Sequence, residues 1–231
     1  MVSNNWFKLV NFLNFAIMKI LIIAATKFEI QPSIAKFDNV NTSFSITGIS
    51  MLATAVSLTK LVLQQQPDLV IQAGIAGSFN KQINLGKVVV VKQEFLGDMG
   101  VEEVGNWKDI FDLNLTSGND FPFTEKQIPN PYLPKLNNLK LDEVIGITVN
   151  EISTNQQRIE QLISKYNPTI ESMEGAALHY VCTDLQVPFI QIRSISNYVG
   201  ERDKTKWQLQ LAIANLNDIL QAMLQQLSSK I

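Results

Sequence analysis

Apolar runs rich in β-branched residues alternate along this chain with longer stretches whose apolar positions recur every three to four residues. Ile20–Ala25 is a continuous apolar run, the pattern of a strand buried on both faces of a parallel sheet. A helix is expected from about Phe28, with Pro32 accommodated in its first turn. Phe44–Thr47 reads as a short strand and Gly48 as a turn. Ser50 can then cap a helix that carries Leu52, Val56, Thr59 and Leu63 on one face and stops before Pro67. The next strand, Leu69–Ala73, runs into a glycine-rich turn, Gly74-Ile75-Ala76-Gly77. Further strands are expected at Lys87–Gln93, Val144–Thr148 and Pro188–Ser196, with a short extended piece at Thr169–Ser172. Helices are expected from the polar turn at 150–155 through Tyr166, over Glu174–Leu185, and over Lys204–Leu227.

Such alternation predicts an α/β fold, a three-layer α/β/α sandwich around a mixed, largely parallel sheet. Residues 97–140 interrupt it with Gly, Asn, Asp and Pro and scattered aromatics, and read as a functional insertion. Neither repeats nor low-complexity linkers divide residues 18–231, which are expected to form one domain. Residues 1–17 carry Trp6, Phe7, Leu9 and Phe12 but are broken by Asn11 and Asn14. That run is too short to span a bilayer and has no small-residue cleavage site. It reads as an extension upstream of Met18.

Composition narrows the function. Among 231 residues, 19 are basic and 21 acidic, for a net charge of −2. No basic face is available for a nucleic-acid backbone. A single cysteine, Cys182, rules out an internal disulfide and a cysteine-rich zinc site, and fits a reducing, cytoplasmic compartment. A single histidine, His179, leaves no His-rich metal site and obliges any Ser–His or Cys–His scheme to use it. His179 and Cys182, three apart on one helix face, are expected to pack rather than react.

In open parallel sheets ligands gather at the carboxyl ends of strands. That rule brings together Thr26 and Glu29, the Gly74–Gly77 turn, Met173-Glu174, and Arg193 to Asn197. The glycine spacing is not that of a dinucleotide fingerprint, and Glu94, about 20 residues on, closes the next strand rather than a βαβ unit. Each residue also has a plainer reading. Glu174 suits a helix N-terminus, Glu29 a solvated helix face, and Asn197 a turn. Arg193, at a buried strand end, requires a partner whatever its role.

The runs Glu171-Ser172-Met173-Glu174-Gly175-Ala176-Ala177 and Val187-Pro188-Phe189-Ile190-Gln191-Ile192-Arg193-Ser194-Ile195-Ser196-Asn197 resemble the nucleoside phosphorylase/nucleosidase superfamily, over residues 18 to about 226. Within it, Ser196 to Trp207, Gly74 to Phe79 and Leu96-Gly97-Asp98-Met99-Gly100 look most like the futalosine hydrolases, which release hypoxanthine in a menaquinone route. Related enzymes release adenine from methylthioadenosine and S-adenosylhomocysteine. The resemblance implies a purine nucleoside substrate, no cofactor or metal, no membrane partner, and a homo-oligomer.

It also implies roles. Glu174 would take the ribose hydroxyls with Met173 against the sugar, and Glu29 would activate water, with Arg193 fixing that water or Glu174. Ala76, Gly77, Ser196 and Ile152 would line the base and sugar. The adenine-releasing relatives carry an aspartate where this chain has Asn197. An amide offers a donor and an acceptor but no proton, which suits a 6-oxopurine and leaves protonation of the departing base to another group or water. Those relatives carry a serine at Ile75.

Overall fold

The computed structural model describes residues 18–36 and 40–228. The expected extension, 1–17, lies outside the described residues. β1 (Ile20–Ala24), α1 (Lys27–Lys36), β2 (Thr42–Ile46) and α2 (Met51–Gln65) follow in order. β3 (Leu69–Ser78) and β4 (Val88–Leu96) come next, then a β5 (Gly100–Glu103)/β6 (Asn106–Asp109) hairpin, β7 (Ile128–Pro129) and the short α3 (Leu133–Leu136). The chain finishes with β8 (Glu143–Thr148), α4 (Gln156–Tyr166), β9 (Ile170–Ser172), α5 (Gly175–Asp184), β10 (Phe189–Tyr198) and α6 (Leu209–Ser228). The 97–140 insertion thus supplies a small hairpin and an extra strand beside β4.

The sheet is mixed, as expected, but it does not stay open. Its order is β10-β4-β8-β9-β3-β1-β2, and β10 also pairs with β3. Five strands therefore close into a barrel-like ring, from which β1 and β2 extend as a parallel wing. Pairs β1–β2, β1–β3, β3–β10, β4–β8 and β8–β9 are parallel; β4–β10, β3–β9 and β4–β7 are antiparallel. The open three-layer sandwich is corrected accordingly. Helices cover both faces over β1 and the first halves of β3 and β10. There Ile20, Ile22 and Ile71 pack toward Leu216 and Leu220 of α6, while Leu21, Ile23 and Val70 pack toward Leu58 of α2 and Leu178 of α5. Closure needs strong coiling. β3 and β10, ten residues each, supply the length, and register shifts at Ile195/Asn197 and Val91/Gln93 supply the bends.

The ring has its own core, to which each strand contributes: Ala76, Val89, Val91, Val144, Ile170 and Ile195. Period-two alternation carries the same inward faces of β3, β8 and β10 on to Gln72, Thr148, Gln191 and Arg193. One end of the ring is therefore apolar and the other polar.

Three local expectations also change. On α2 the buried residues are Thr54, Leu58 and Val62, while Leu52, Val56 and Leu63 are 74%, 48% and 63% exposed. Apolar residues lie on both sides of that helix, so period alone picked the wrong face. Pro32 falls in the second turn of α1, not the first. Lys204–Lys206 forms an isolated turn of 3₁₀ helix, with α6 starting afresh at Leu209.

Candidate active site

Glu29 lies in the first turn of α1 and its carboxylate folds back over the helix start: Thr26 N and Oγ1 donate to Glu29 Oε2, each at 2.9 Å, one half of a capping box. The same carboxylate reaches β3, where Ile75 N donates to Oε1 at 3.1 Å. Glu29 is thus buried and held from two elements, in place of the solvated face its sequence position also allowed. The predicted turn Gly74–Gly77 is the second half of β3. Glycine is needed there for approach, since a Cβ on Gly74 would collide with Arg193 Nη1 and crowd Glu29 Oε1.

Arg193 is 1% exposed and spans the polar end of the ring. It donates to Gln72 Oε1 at 3.0 Å, to the Ile75 carbonyl at 3.3 Å and to Glu174 Oε2 at 3.4 Å. Glu174 occupies the N-cap of α5, and its Oε1 accepts from Ser50 N at 3.3 Å. Ser50 is itself the N-cap of α2, at φ +97°. Both contacts to Glu174 are long, so its oxygens keep room for further donors. Met173, half-buried, precedes it between β9 and α5.

Farther along β10, Ser196 Oγ donates its one proton to the Asn197 side-chain oxygen at 2.8 Å, with the Ala76 carbonyl 3.3 Å away. The Asn197 amide nitrogen donates to the Tyr198 carbonyl at 3.0 Å. One N–H and one lone pair of that amide remain for a ligand. Ala76 itself faces the ring core. Asn197 pairs with Gly77 on one side, and Glu171 of β9 pairs with Gly77 on the other. The two polar residues therefore flank a position without a side chain, with backbones roughly 10 Å apart at the usual strand spacing. Glu171 Oε1 accepts from Ser153 N at 3.1 Å, Oε2 is buried without a partner, and burial raises its carboxyl above the ordinary range. Ile152, beside Ser153, is exposed and lines a cavity of about 350 Å³ with Trp107, Arg158 and Glu151.

The fold thus gathers Glu29, Glu174 and Arg193 into one hydrogen-bonded group. Ser196, Asn197 and Gly77 lie next along the strands, and Ile152 lies on the far side of Gly77. Pattern reading did not single out Gln72, Gln191, Thr148 or the part played by Glu94, and it foresaw Ser50 as a helix cap but not its contact with Glu174. Gln72 and Gln191 did carry a signal, each being a lone polar residue inside an apolar strand run. Glu94 is fully enclosed. It accepts from Gln191 Nε2 at 2.9 Å and Thr148 Oγ1 at 3.0 Å, and burial pushes it up to about 7. His179 is buried, pairs through Nδ1 with the Ile128 carbonyl at 2.8 Å, and is pushed down to about 4 by burial. Burial also raises the Cys182 thiol, so neither group of the expected packing pair is activated. Among the described residues no three His, Cys, Asp or Glu side chains are grouped to hold a metal. No helix among them is long and apolar enough to cross a membrane.

Comparison with known proteins places this geometry. The phosphorylase superfamily profile matches residues 34–225, and the chain belongs to that superfamily. The curated relatives it matches include nucleosidases. The chain is 28% identical over 200 residues to the 5′-methylthioadenosine/S-adenosylhomocysteine nucleosidase of Tolumonas auensis, covering 78% of this chain and 80% of that protein. It is 26% identical over 171 residues to the futalosine hydrolase of Thermus thermophilus, covering 74% and 75%. The solved futalosine hydrolase of Helicobacter pylori shares the fold, with TM-score 0.77 at 20% identity over 91% of this chain and 99% of that one.

Proposed function

We propose that this chain is a nucleosidase that hydrolyses the N-glycosidic bond of a 6-oxopurine nucleoside, with futalosine as substrate and hypoxanthine as the released base. The observation that carries the base assignment is Asn197, an amide with one donor and one acceptor site free. Bond cleavage builds positive charge on the ribose and negative charge on the base. Glu174 binds the ribose hydroxyls and offsets the first charge, with Met173 against the sugar. Glu29, whose Oε1 accepts only from Ile75 N and keeps a lone pair unused, takes a proton from the attacking water. Arg193 holds Glu174 in register with Ile75 and Gln72. Ala76, Gly77, Ser196 and Ile152 border the base. Asn197 cannot protonate the departing base, and Glu171, across Gly77 and shifted toward its neutral form, is the group that fits this step.

The reaction needs neither cofactor nor metal. A phosphorylase would require cations free for phosphate, whereas Arg193 is already committed to three acceptors. The setting is the cytoplasm, and the assembly is a homo-oligomer. The exposed stripe Leu52, Val56 and Leu63, on the helix capped by Ser50, supports a copy of this chain packing beside the site. Adenine release is the second reading, favoured by the Tolumonas relative.

The test is base release without phosphate from futalosine, inosine, methylthioadenosine and S-adenosylhomocysteine. Hypoxanthine from futalosine is expected, with a loss of about 10²–10⁴-fold in kcat for Glu29→Gln. Adenine as the preferred product would refute the base assignment, and strict dependence on phosphate would refute hydrolysis. A chain that binds the nucleoside but never turns it over would be a non-catalytic binding module.

A further inference from the structure

Glu94 is a carboxylate the reaction above does not use, at the polar end of the closed ring. Its surroundings are built for it. A Cβ on either Gly146 of β8 or Gly175 of α5 would collide with its carboxyl group. Two glycines thus let a carboxylate touch the backbone of one strand and the first residue of one helix. Thr148 Oγ1 donates to Glu94 Oε2 at 3.0 Å and accepts from Ala176 N at 2.7 Å. The Ala176 amide is one of the first-turn donors that α5 cannot satisfy internally. Gln191 Nε2 donates to Glu94 Oε1 at 2.9 Å, and Gln191 shares its β10 face with Arg193.

We propose that Glu94 is a positioning residue for the reaction: through Thr148 it fixes the first turn of α5, and so the Glu174 carboxylate, against Gln191 and Arg193 of β10. The inference rests on the nucleosidase reading for its kinetic effect but not for its structural one. The charged groups facing Glu94 are Arg193 and Glu174, with His179 beyond Gln191. Arg193 favours the anion, while Glu174 and burial oppose it, so Glu94 changes charge near neutral pH and alters the field at Glu174 when it does.

Three variants test this. Glu94→Asp is one methylene too short to reach Thr148 and Gln191 together. Thr148→Val leaves Glu94 in place and cuts the link to Ala176. Glu94→Gln keeps the length, and rotation of the Gln191 amide restores complementary donors and acceptors. Glu94→Asp and Thr148→Val are each expected to lower kcat/KM for the released base at least 30-fold, with circular dichroism unchanged. Glu94→Gln is expected to stay within about fivefold of the parent and to flatten the pH dependence of kcat between pH 6 and 8.

Amide hydrogen exchange at Ala176 gives a readout independent of the substrate, expected to quicken at least tenfold in Glu94→Asp and Thr148→Val. Unchanged exchange in both variants would overturn the proposal, as would parental kcat/KM in both or Glu94→Gln being as impaired as Glu94→Asp. If the parent releases no base from any nucleoside, the nucleosidase reading falls. The exchange measurement then decides the role of Glu94 alone.

Discussion

Glu94 and His179 both neighbour Gln191 and carry opposite perturbations. The folded chain holds the Glu94 proton up to about pH 7, against an ordinary 4.5. It resists protonating His179 down to about pH 4, against 6.5. Between pH 4.5 and 7 the native state binds a proton at residue 94 that the unfolded chain has lost, so this group's contribution to stability falls as pH rises. Between pH 4 and 6.5 the unfolded chain protonates residue 179 and the native chain does not, so that contribution rises with pH. Each displacement corresponds to roughly 3 kcal/mol at about 1.4 kcal/mol per pH unit. Over their shared window the two slopes cancel. Urea unfolding at pH 5 and pH 6.5, at fixed protein concentration, separates them. Relative to the parent, Glu94→Gln should gain about 2 kcal/mol on raising the pH, and His179→Asn should lose about 2 kcal/mol. Shifts of the same sign in both variants would refute the reasoning.

Three other outcomes are expected. Asn197→Asp should move preference toward adenine nucleosides, read from competing base release; unchanged selectivity would show that residue 197 does not read the base. Arg193→Met should cost about 3–5 kcal/mol in urea unfolding, because Glu174, Gln72 and the Ile75 carbonyl all lose a buried donor. Val56→Glu, on the exposed side of α2, should lower the mass in analytical ultracentrifugation while leaving the circular dichroism intact; an unchanged mass would remove that face from the assembly.

The parts of the fold visible in the sequence are those that depend on one element at a time. Apolar runs located β1, β8 and β10 to within a residue or two, because burial on both faces demands continuous apolar stretches, whereas β4 runs three residues past its expected end at Gln93. Which strands pair is a different question. Closure of the ring rests on β10 meeting both β3 and β4 and on backbone bends that leave no mark in residue type. The face of α2 was unreadable for another reason, since Leu52, Val56 and Leu63 compete with Leu58 and Val62. Glu29 and Glu174 were legible because they lie just beyond the carboxyl ends of β1 and β9, and Arg193 because a cation inside an apolar strand run requires a partner, although it stands midway along β10 rather than at its end. Glu94 was not. Its glycine cradle joins residues 146 and 175, far apart in the chain and adjacent only once β8, β9 and α5 are assembled.

Ring closure has a further consequence for how such a site can diverge. Arg193 is paired on both sides, with Gly74 of β3 and Val89 of β4, so β10 cannot slip by a residue without breaking the ring at two seams. A slip would also turn Arg193 outward, away from its three acceptors. Past the shift between Ile195 and Asn197 that constraint relaxes, because Asn197 and Tyr198 pair with β3 alone. The strand therefore has a fixed half and a permissive half. Substitution at residue 197 can retune what is read at one end while the arginine at the other keeps its place.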